Sequence, residues 1–316
     1  MVVDTMRLRV TSVRPEARGI VGLTLASVDG SDLPAFEAGA HVDVHLAGGL
    51  CRQYSLIGDA GGVQYEIAVK REPQSKGGSA RMHELKPGDE LTVGRPRNNF
   101  PVMPRASYHL LFAGGIGVTP LFCMARSFVR RRLPFHLHYF ASSDDQVAFR
   151  DELTSPAMSD HVTLHLGFGP DEVSLTATDA LVRPVAGTHL YICGPSPFMD
   201  CVRNVAARTL PEAAIHIEHF THVPAADGRE FEVVLARKGL TLTVPADCSI
   251  LDALTQNSVD VDFACQKGIC GTCIVGLLEG QAEHLDSFLT AEERQENRSI
   301  AICVSRAKTG RLKLDL

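Results

Sequence analysis

The stretch Cys265-Gln-Lys-Gly-Ile-Cys-Gly-Thr-Cys273 places three thiols close together in the chain, and 29 residues separate the last of them from a fourth, Cys303. Thiols this close in sequence can surround one compact centre only if the backbone turns tightly between them. Gly268 and Gly271 lie where such a turn needs residues without a Cβ atom. Amide N–H groups freed by the turn can then point at the sulfur atoms. The stretch therefore predicts a loop that gathers thiolates around one centre.

Four such cysteines can form disulfides, bind zinc, hold an iron–sulfur cluster or pack in a core. Structural zinc favours paired Cys-x2-Cys knuckles, but only Cys270 and Cys273 form such a pair, with no second pair near Cys303. The spacing Cys-x4-Cys-x2-Cys with a distant fourth cysteine is that of plant-type [2Fe–2S] sites. The segment Cys-x2-Gly-Ile-Cys-Gly-Thr-Cys also resembles the plant-type ferredoxin signature. This resemblance implies a [2Fe–2S] cluster on Cys265, Cys270, Cys273 and Cys303, and hence transfer of single electrons.

Length and composition limit the remaining possibilities. A chain of 316 residues suggests two or three domains, and a hydrophobic fraction of 45% is typical of globular proteins. A net charge of −6 gives no basic surface for nucleic acid. The first residues lack the apolar segment of a secretory signal, and no run is long and apolar enough to cross a bilayer. With nine cysteines at low density, we expect a cytoplasmic protein that binds neither nucleic acid nor membrane.

Residues 1–105 contain short segments of alternating apolar and polar residues, such as Arg7–Val13 and His41–Leu46, separated by Gly, Pro and Asp turns. Short strands at this spacing favour a small antiparallel β-barrel. Two polar motifs lie within this region, Arg-Gln-Tyr-Ser at 52–55 and Gly-Gly-Ser at 77–79, the second opening a predicted helix that begins at Ser79. Either motif alone is as typical of a structural element as of a binding site.

Together the two motifs supply what a flavin needs. The Tyr54 ring can pack on the isoalloxazine, Ser55 can hydrogen-bond the N5 edge, and the Arg52 guanidinium can pair with a phosphate. The glycine turn presents free N–H groups to an anion. The pair resembles the flavin domain of the ferredoxin-reductase superfamily, although the serine stands one place earlier than in Gly-Gly-x-Ser. The flavin-binding candidates are Arg52, Gln53, Tyr54, Ser55, Ala68, Lys70, Gly77, Gly78 and Ser79.

From residue 106 to residue 222 strands and helices alternate, which predicts a parallel sheet. The strand Tyr108–Ala113 leads into Gly114-Gly-Ile-Gly117, and a helix follows from Val118 to about Arg131. A glycine-rich turn between a strand and a helix N-terminus is typical of a pyrophosphate site. The candidates at this turn are Gly114, Gly115, Gly117, Thr119 and Pro120.

The next strand ends in Ala141-Ser-Ser-Asp-Asp145, where dinucleotide enzymes commonly bind the ribose. Ser142 and Ser143 are the binding candidates here. A 2′-phosphate would need a nearby Arg or Lys, and the segment contains none. The segment therefore favours NADH over NADPH, unless Arg150 or the arginines at 130–132 fold back onto it.

A third strand ends in Cys193-Gly194-Pro195, which again resembles the ferredoxin-reductase superfamily, where this cysteine lies near the nicotinamide. No motif of nucleophilic chemistry accompanies Cys193, and a buried strand end is the alternative interpretation. The resemblance further implies that Glu218 and Phe220, at the next strand end, face the flavin. The catalytic candidates are Ser55, Cys193, Glu218 and Phe220.

A polar, turn-rich linker precedes the region that contains the thiol loop. That region is expected to contain a hairpin, Phe231–Ala236 with Leu240–Val244, and a helix capped by Ser249. The predicted fold is therefore multidomain: an antiparallel β-barrel for the flavin, an α/β parallel-sheet NAD domain and an α+β ferredoxin domain. The predicted boundaries are 1–105 for the barrel, 106–222 for the NAD domain, 223–229 for the linker and 230–316 for the ferredoxin domain.

Over essentially the whole chain, this order of domains resembles the phthalate-dioxygenase-reductase-like family, the reductase components of Rieske-type aromatic oxygenases. The resemblance implies FMN, NADH as donor, a separate Rieske-type terminal oxygenase as acceptor, and a monomer. NADH delivers two electrons at once and a [2Fe–2S] cluster accepts one, whereas a flavin takes two and releases them singly. Two alternatives stay open: an FAD-containing reductase for another hydroxylase or a haem protein, and a non-catalytic redox-sensing or zinc-stabilised module.

Overall fold

The chain divides into two compact units, with the boundary after Phe220. The computed structural model describes residues 5–46, 50–58, 63–72, 77–220, 229–246, 248–257, 259–263, 268, 271–286 and 288–316. Within these ranges, no helix is both long enough and apolar enough to span a bilayer. The two units are described separately below.

Six antiparallel strands form the first sheet of the larger unit, in the spatial order β4-β3-β6-β1-β2-β5. The strands are β1 Thr5–Ala17, β2 Ile20–Ser27, β3 His41–Leu46, β4 Leu50–Ser55, β5 Gln64–Lys70 and β6 Glu90–Gly94. A bridge between Leu56 and Ile67 joins the end of β4 to β5, which are the two outer strands. The sheet therefore closes on itself, and the predicted antiparallel barrel is confirmed.

Alternation along the strands decides which side chains fill the barrel. Because successive side chains point to opposite faces of a strand, residues two apart share the interior. The buried pairs of this kind are Leu8 and Val10, Leu23 and Leu25, Val42 and Val44, Tyr65 and Ile67, and Leu91 and Val93. One helix, α1 Gly78–Glu84, packs on β5 through His83, whose Nε2 lies 2.9 Å from the carbonyl oxygen of Val69. It begins one residue before the predicted start at Ser79.

A five-stranded parallel sheet follows in the same unit, in the order β11-β10-β7-β8-β9. Its elements are β7 Tyr108–Gly114, α2 Val118–Arg131, β8 Phe135–Ala141, α3 Arg150–Leu153, β9 Val162–Leu166, α4 Pro170–Leu181, β10 Thr188–Cys193, α5 Ser196–Ala206 and β11 Ile215–Glu218. The chain proceeds from β7 to one side and later returns to the other, so β7 and β10 flank the switch point where such sheets bind ligands. The predicted parallel sheet and the range of α2 are confirmed.

The barrel and the parallel sheet share one hydrophobic core. Residues of α2, among them Phe122 and Phe128, lie in the same cluster of buried side chains as the barrel residues Leu56 and Ile67. The other face of the sheet is covered by α4 and α5, which contribute buried residues such as Val173 and Val202 to a second cluster. Helix α2 therefore lies between the barrel and the sheet.

Paired histidines lie across neighbouring strands of the parallel sheet. His138 Nδ1 lies 3.1 Å from His165 Nε2, and His189 Nδ1 lies 2.9 Å from His216 Nε2. Burial lowers the pKa of His138 to about 3 and the pKa of His216 to about 4. Burial likewise lowers the pKa of His109, on β7, to about 4. These imidazoles are neutral in the folded protein at pH values where an unfolded chain would protonate them.

Replacing His109 with phenylalanine is expected to weaken the acid sensitivity of the fold. His109 stacks on Phe128 with ring centroids 4.2 Å apart, and its buried Nδ1 has no hydrogen-bond partner among the described residues. The pKa of His109 is lower in the folded protein than in the unfolded chain, so the unfolded chain binds the proton first as the pH falls. The free energy of unfolding therefore decreases between pH 6.5 and about pH 4, by up to about 1.4 kcal/mol per pH unit. Urea unfolding at pH 7 and pH 5 should show a smaller loss in His109→Phe than in the wild type. Equal losses would contradict this.

The smaller unit contains a mixed five-stranded sheet, in the order β13-β12-β18-β14-β16, and a short two-stranded pair. Its elements are β12 Phe231–Leu235, β13 Leu240–Val244, α6 Ile250–Gln256, β14 Ile274–Glu279, β15 Ala282–Glu283, α7 Ala291–Glu296, β16 Ser299–Ala301, β17 Arg306–Ala307 and β18 Arg311–Leu314. The predicted hairpin is confirmed by the pairing of β12 with β13. The predicted helix cap is confirmed as well, since Ser249 Oγ accepts the N–H of Asp252 at 3.0 Å.

Candidate functional site

The two flavin-binding motifs are far apart in the sequence and meet on the barrel. Residues 52–55 form the end of β4, where Ser55 is 8% exposed and pairs with His41 of β3. A Cβ atom on Gly78 would lie 2.9 Å from Arg52 Nε, so the first residue of α1 packs directly against this arginine. The structure thus brings the candidate phosphate-binding arginine to the N-terminus of α1.

The turn before α1 depends on glycine. Gly77, which precedes the helix, has φ 98°, in the left-handed region that side chains disfavour. Ser79 Oγ accepts the N–H of Glu72 at 3.1 Å, so this hydroxyl also holds the turn onto the end of β5. The displaced serine of the second motif therefore has a structural partner.

The remaining flavin candidates divide into two groups. Gln53 and Tyr54 are half-buried on β4, and Ala68 is buried on β5. Lys70, at the end of β5, is exposed and lies with Nζ 3.8 Å from Glu72 Oε1. Lys70 also lines the cavity described next.

A cavity of about 390 Å³ opens at the carboxyl ends of β7, β8 and β10. The sheet contributes residues from three predicted segments, including Gly115 after β7, Ser142 after β8 and Pro195 after β10. The barrel contributes Arg18 and Lys70, so two cationic side chains face the same cavity. Its other lining residues include the aromatic side chains of Phe140, Phe168 and Phe198. This position, at the switch point of a parallel sheet, is where dinucleotides bind.

The segment 114–117, which leads from β7 into α2, is the candidate dinucleotide turn, and its glycines have two different roles. A Cβ atom on Gly117 would lie 2.6 Å from Gly194 N and would also collide with the carbonyl oxygen of Cys193. A Cβ atom on Gly194 would lie 3.0 Å from the Cα of Gly114. These glycines therefore allow the backbones after β7 and β10 to touch. Gly115 differs, because it has φ 54°, open space around it and a place in the cavity lining.

Two candidates at this turn lie in the core. Thr119 and Pro120 are buried in the first turn of α2 and are absent from the described lining of the cavity. Thr119 Oγ1 donates to the carbonyl oxygen of Ile116 at 3.0 Å. These residues shape the turn, and the structure gives them no direct access to the cavity.

Two arginines from outside the segment that follows β8 form ion pairs with its aspartates. Ser142 lines the cavity, whereas Ser143 Oγ donates to Asp145 Oδ1 at 2.6 Å. Asp145 Oδ2 lies 3.0 Å from Arg18 Nε, and Asp144 forms an ion pair with Arg150. The alternative left open by the sequence, that Arg150 folds back onto this segment, is therefore observed, and Arg18 reaches the segment from the barrel as well. The preference for NADH stays a prediction.

Cys193 and Glu218 are neighbours at the same edge of the sheet. Cys193 pairs in register with Ala113 of β7 and with Glu218 of β11. The thiol is 0% exposed and the glutamate 5%, whereas Phe220 is 43% exposed. A fully buried thiol suits a packing role at the strand end better than nucleophilic chemistry.

Two of the four candidate cluster ligands lie side by side in the smaller unit. Cys273 and Cys303 are buried, with their Sγ atoms 3.0 Å apart. The antiparallel pairing of Ile274 with Ala301 brings these two cysteines together, although they are 30 positions apart in the sequence. A disulfide needs about 2.05 Å between the sulfur atoms, so these two cysteines do not form a disulfide with each other.

The chemistry of this thiol pair suits a metal centre. The hydrogen bond between the two sulfur atoms lowers the pKa of Cys273 to about 7, although burial acts in the opposite direction. Metal and cluster ligands must be thiolates, so a thiol that ionises near neutral pH is ready to bind. The other two candidate ligands, Cys265 and Cys270, lie outside the described residues.

The glycines of the thiol loop hold the conformations that the sequence predicts. Gly268 has φ 71° and Gly271 has φ 75°. A Cβ atom on Gly268 would lie 2.6 Å from Val304 Cγ2, and one on Gly271 would collide with the ring of Phe288. Both positions combine a left-handed backbone with a close approach, which only glycine allows.

Asp286 is a residue to which the motifs give no role. Its carboxylate accepts the N–H of Leu289 at 2.8 Å and the hydroxyl of Ser305 at 3.2 Å. Gly268 packs on its backbone, since a Cβ atom there would lie 2.9 Å from the Cα of Asp286. This buried acid therefore connects Gly268 to the segment that follows Cys303. No sequence signal marks it, because its partners are adjacent only in the fold.

Residues 233–308 match a family model, that of the 2Fe-2S iron-sulfur cluster binding domain. The matched range contains all four cysteines of the candidate cluster site, including the two that lie outside the described residues. It agrees with the plant-type ferredoxin resemblance of the thiol loop.

Known proteins are similar to this chain over nearly its whole length. It is 42% identical over 312 residues to a vanillate O-demethylase oxidoreductase of Pseudomonas sp. strain HR199, with 97% of this chain and 98% of that protein covered. It is 37% identical over 316 residues to the carnitine monooxygenase reductase subunit of Escherichia coli K12, with 98% of each covered.

The fold is similar to that of phthalate dioxygenase reductase, with a TM-score of 0.81, 36% identity and coverage of 99% of this chain and 98% of that one. That protein is described as a modular structure for electron transfer from pyridine nucleotides to [2Fe–2S]. Because identity and fold agree from the barrel to the cluster-binding region, the chain belongs to the oxidoreductase family of phthalate dioxygenase reductase and vanillate O-demethylase oxidoreductase, the reductase subunits of oxygenase systems.

Proposed function

We propose that this protein is the FMN- and [2Fe–2S]-containing reductase of a multicomponent oxygenase and that it takes its electrons from NADH. The observation that carries the proposal is the pair of buried cysteines, Cys273 and Cys303, whose sulfur atoms lie 3.0 Å apart in the matched cluster-binding region of a chain that also has a cavity suited to a dinucleotide. When bound, the three groups divide the chemistry: NADH gives two electrons, FMN takes two and releases them singly, and the cluster passes one.

At the barrel, the residues around Arg52 hold the flavin. The guanidinium of Arg52 pairs with the FMN phosphate, beside the N-terminus of α1 at Gly77 and Gly78. Ser55, at the end of the same strand, is placed to hydrogen-bond the reactive edge of the ring, and Tyr54 is the ring-packing residue. One short strand therefore reaches from the phosphate to the reacting atoms.

At the parallel sheet, the cavity orients the nicotinamide nucleotide. Gly115 leaves open space for the pyrophosphate, and Arg18 and Lys70 supply positive charge from the barrel side. Glu218 and Phe220 follow at the next strand end and are the candidates for contact with the reacting rings. The boundaries proposed for the barrel, NAD, linker and ferredoxin segments are those given by the sequence.

The acceptor is proposed to be a separate Rieske-type terminal oxygenase, served by a monomeric reductase. The similarity to a vanillate O-demethylase oxidoreductase favours an aromatic acid as the substrate of that oxygenase. A similar reductase is named as a subunit of a carnitine monooxygenase, and carnitine is not aromatic. We therefore propose that the partner oxygenase, and not the reductase, determines which substrate is oxidised. Cys273 and Cys303 do not form a disulfide with each other although they are adjacent, which suits a reducing compartment, and we propose the cytoplasm.

The visible spectrum of the purified protein tests this function. We expect flavin bands together with a broad cluster absorption, both bleached by NADH without oxygen, and FMN as the flavin released by heat. FAD on chromatography would favour a reductase for another hydroxylase or a haem protein. A colourless protein that contains zinc would contradict the proposal, and a coloured protein that NADH does not bleach would indicate a redox sensor.

Replacing Arg52 with lysine is expected to weaken FMN binding about tenfold, because an ammonium keeps the charge but loses the planar fork that grips a phosphate. Quenching of FMN fluorescence on titration into the apoprotein measures the affinity. Arg71→Lys, at an exposed arginine just after β5, is the matched control and should bind FMN like the wild type. Equal affinity in Arg52→Lys would remove Arg52 from the phosphate site.

A further inference from the structure

Helix α2 physically connects the two cofactor sites of the larger unit. It begins directly after the dinucleotide turn, where Gly117 packs on the backbone of Gly194. Further along, Cys123 Sγ donates to the carbonyl oxygen of Gly58 at 3.5 Å, in the barrel segment that follows the flavin strand β4. The same helix therefore contacts the backbone near the nicotinamide site and the backbone near the flavin site.

Arg126 of α2 contacts both the barrel and α3. Its Nε and Nη2 each donate to Glu152 at 3.0 Å, which forms a two-pronged ion pair. Its Nη1 donates to the carbonyl oxygen of Ile57 at 3.0 Å and lies 3.5 Å from Glu66 Oε2. The guanidinium carbon also lies 4.9 Å from the ring centre of Phe122. One guanidinium thus binds both the barrel and Glu152 of α3. The Arg126 side chain is largely buried, with 22% of its surface exposed.

The contact between Arg126 and Ile57 lies close to the candidate flavin-binding residue Ser55. Ile57 lies two residues after Ser55, is 1% exposed, and donates its N–H to the carbonyl oxygen of Glu66 at 2.9 Å. Its carbonyl oxygen points to Arg126, so both polar groups of this peptide position are bound. The end of the flavin strand therefore cannot shift relative to α2 without breaking a charge-assisted hydrogen bond.

We propose that Arg126 is a positioning residue for hydride transfer. It sets the spacing between the strand that carries Ser55 and the helix that begins at the dinucleotide turn. The inference rests on the proposed function, which puts a flavin beside Ser55 and a nicotinamide at the cavity. Donor and acceptor atoms must approach within a narrow range, and a misplacement of about 1 Å can cost about a hundredfold in rate.

Lysine is the informative substitution at this position. Its ammonium keeps the positive charge between Glu66 and Glu152, so neither carboxylate is left without a cation. A single nitrogen cannot, however, grip Glu152 with two bonds and reach the carbonyl oxygen of Ile57 at the same time. Arg126→Lys should therefore loosen the spacing while the domain stays folded. Arg131→Lys, at an exposed arginine at the end of the same helix, is the matched control.

The test combines transfer rates with hydrogen–deuterium exchange in the holoprotein. For Arg126→Lys we expect flavin reduction at saturating NADH to slow by about tenfold or more, with KM for NADH and FMN content unchanged. Exchange of the peptide that contains residues 56–58 should be faster, and cluster reduction after photochemical flavin reduction should keep its wild-type rate. Arg131→Lys should match the wild type throughout.

Two results would overturn the inference: flavin reduction at the wild-type rate in Arg126→Lys, or a parallel loss of FMN, NADH binding and folding, which would make the role purely structural. Failure of the proposed function looks different, because NADH would then fail to reduce the wild-type protein as well. In that event unchanged exchange at residues 56–58 in Arg126→Lys would still overturn the positioning role.

Discussion

Replacing Cys273 with serine is expected to abolish NADH-dependent cytochrome c reduction while NADH-dependent flavin reduction continues. A serine hydroxyl does not ionise near neutral pH, so it cannot replace a thiolate that ionises near pH 7. Cys273 lies 3.0 Å from Cys303 in sulfur-to-sulfur distance, and losing one of four ligands should leave the cluster unassembled. Iron and sulfide analysis, the visible spectrum and two turnover assays on one preparation measure the outcome.

Cys248→Ser is the matched control for this experiment. Cys248 is a buried cysteine of the same unit, but it lies outside the predicted ligand set. It should retain iron, sulfide and cytochrome c turnover, so a loss confined to Cys273→Ser would assign the effect to the cluster. Wild-type cytochrome c turnover in Cys273→Ser would show that electrons bypass the cluster.

Replacing Gly117 with alanine is expected to disrupt the nicotinamide site through the backbone. The new Cβ atom would meet Gly194 N at 2.6 Å and the carbonyl oxygen of Cys193, and neither backbone group can turn aside as a flexible side chain could. Overpacking of this kind costs about 1–3 kcal/mol, which corresponds to an unfolding temperature lower by roughly 5 °C. The separated strand ends should also raise KM for NADH and slow flavin reduction.

Calorimetry and stopped-flow reduction of Gly117→Ala measure these two effects. The control is Gly310→Ala, because a Cβ atom at Gly310 meets nothing within 4 Å. This control should unfold and react like the wild type. If Gly117→Ala were equally unperturbed, the contact between the backbones after β7 and β10 would not constrain the site.

The fold could be predicted from the sequence wherever the pattern is local. Period-two alternation in segments such as His41–Leu46 predicted the barrel strands, and the strand-turn-helix order at Tyr108–Arg131 predicted the parallel sheet. Tight backbone turns at Gly268 and Gly271 were predicted because three thiols on one loop require them. Both have the positive φ that this requirement implies.

The residues that complete the sites could not be predicted in the same way. Arg18, Arg126 and Asp286 act on groups that are distant in sequence and adjacent only after folding. A motif also does not distinguish glycines needed for packing from glycines open to a ligand, and only the geometry separates Gly117 from Gly115. Thr119 belongs to the core for a similar reason, since its hydroxyl binds within the turn.

The most direct test of the proposed electron path is electron paramagnetic resonance of the wild-type protein, frozen after anaerobic addition of NADH. A reduced [2Fe–2S] cluster is paramagnetic, so NADH should produce its signal, with about one spin per bound cluster. The signal should be absent from Cys273→Ser, although NADH still bleaches the flavin in that variant. Full bleaching of the flavin in the wild-type protein without any cluster signal would contradict a path from NADH through the flavin to Cys273 and its partner ligands.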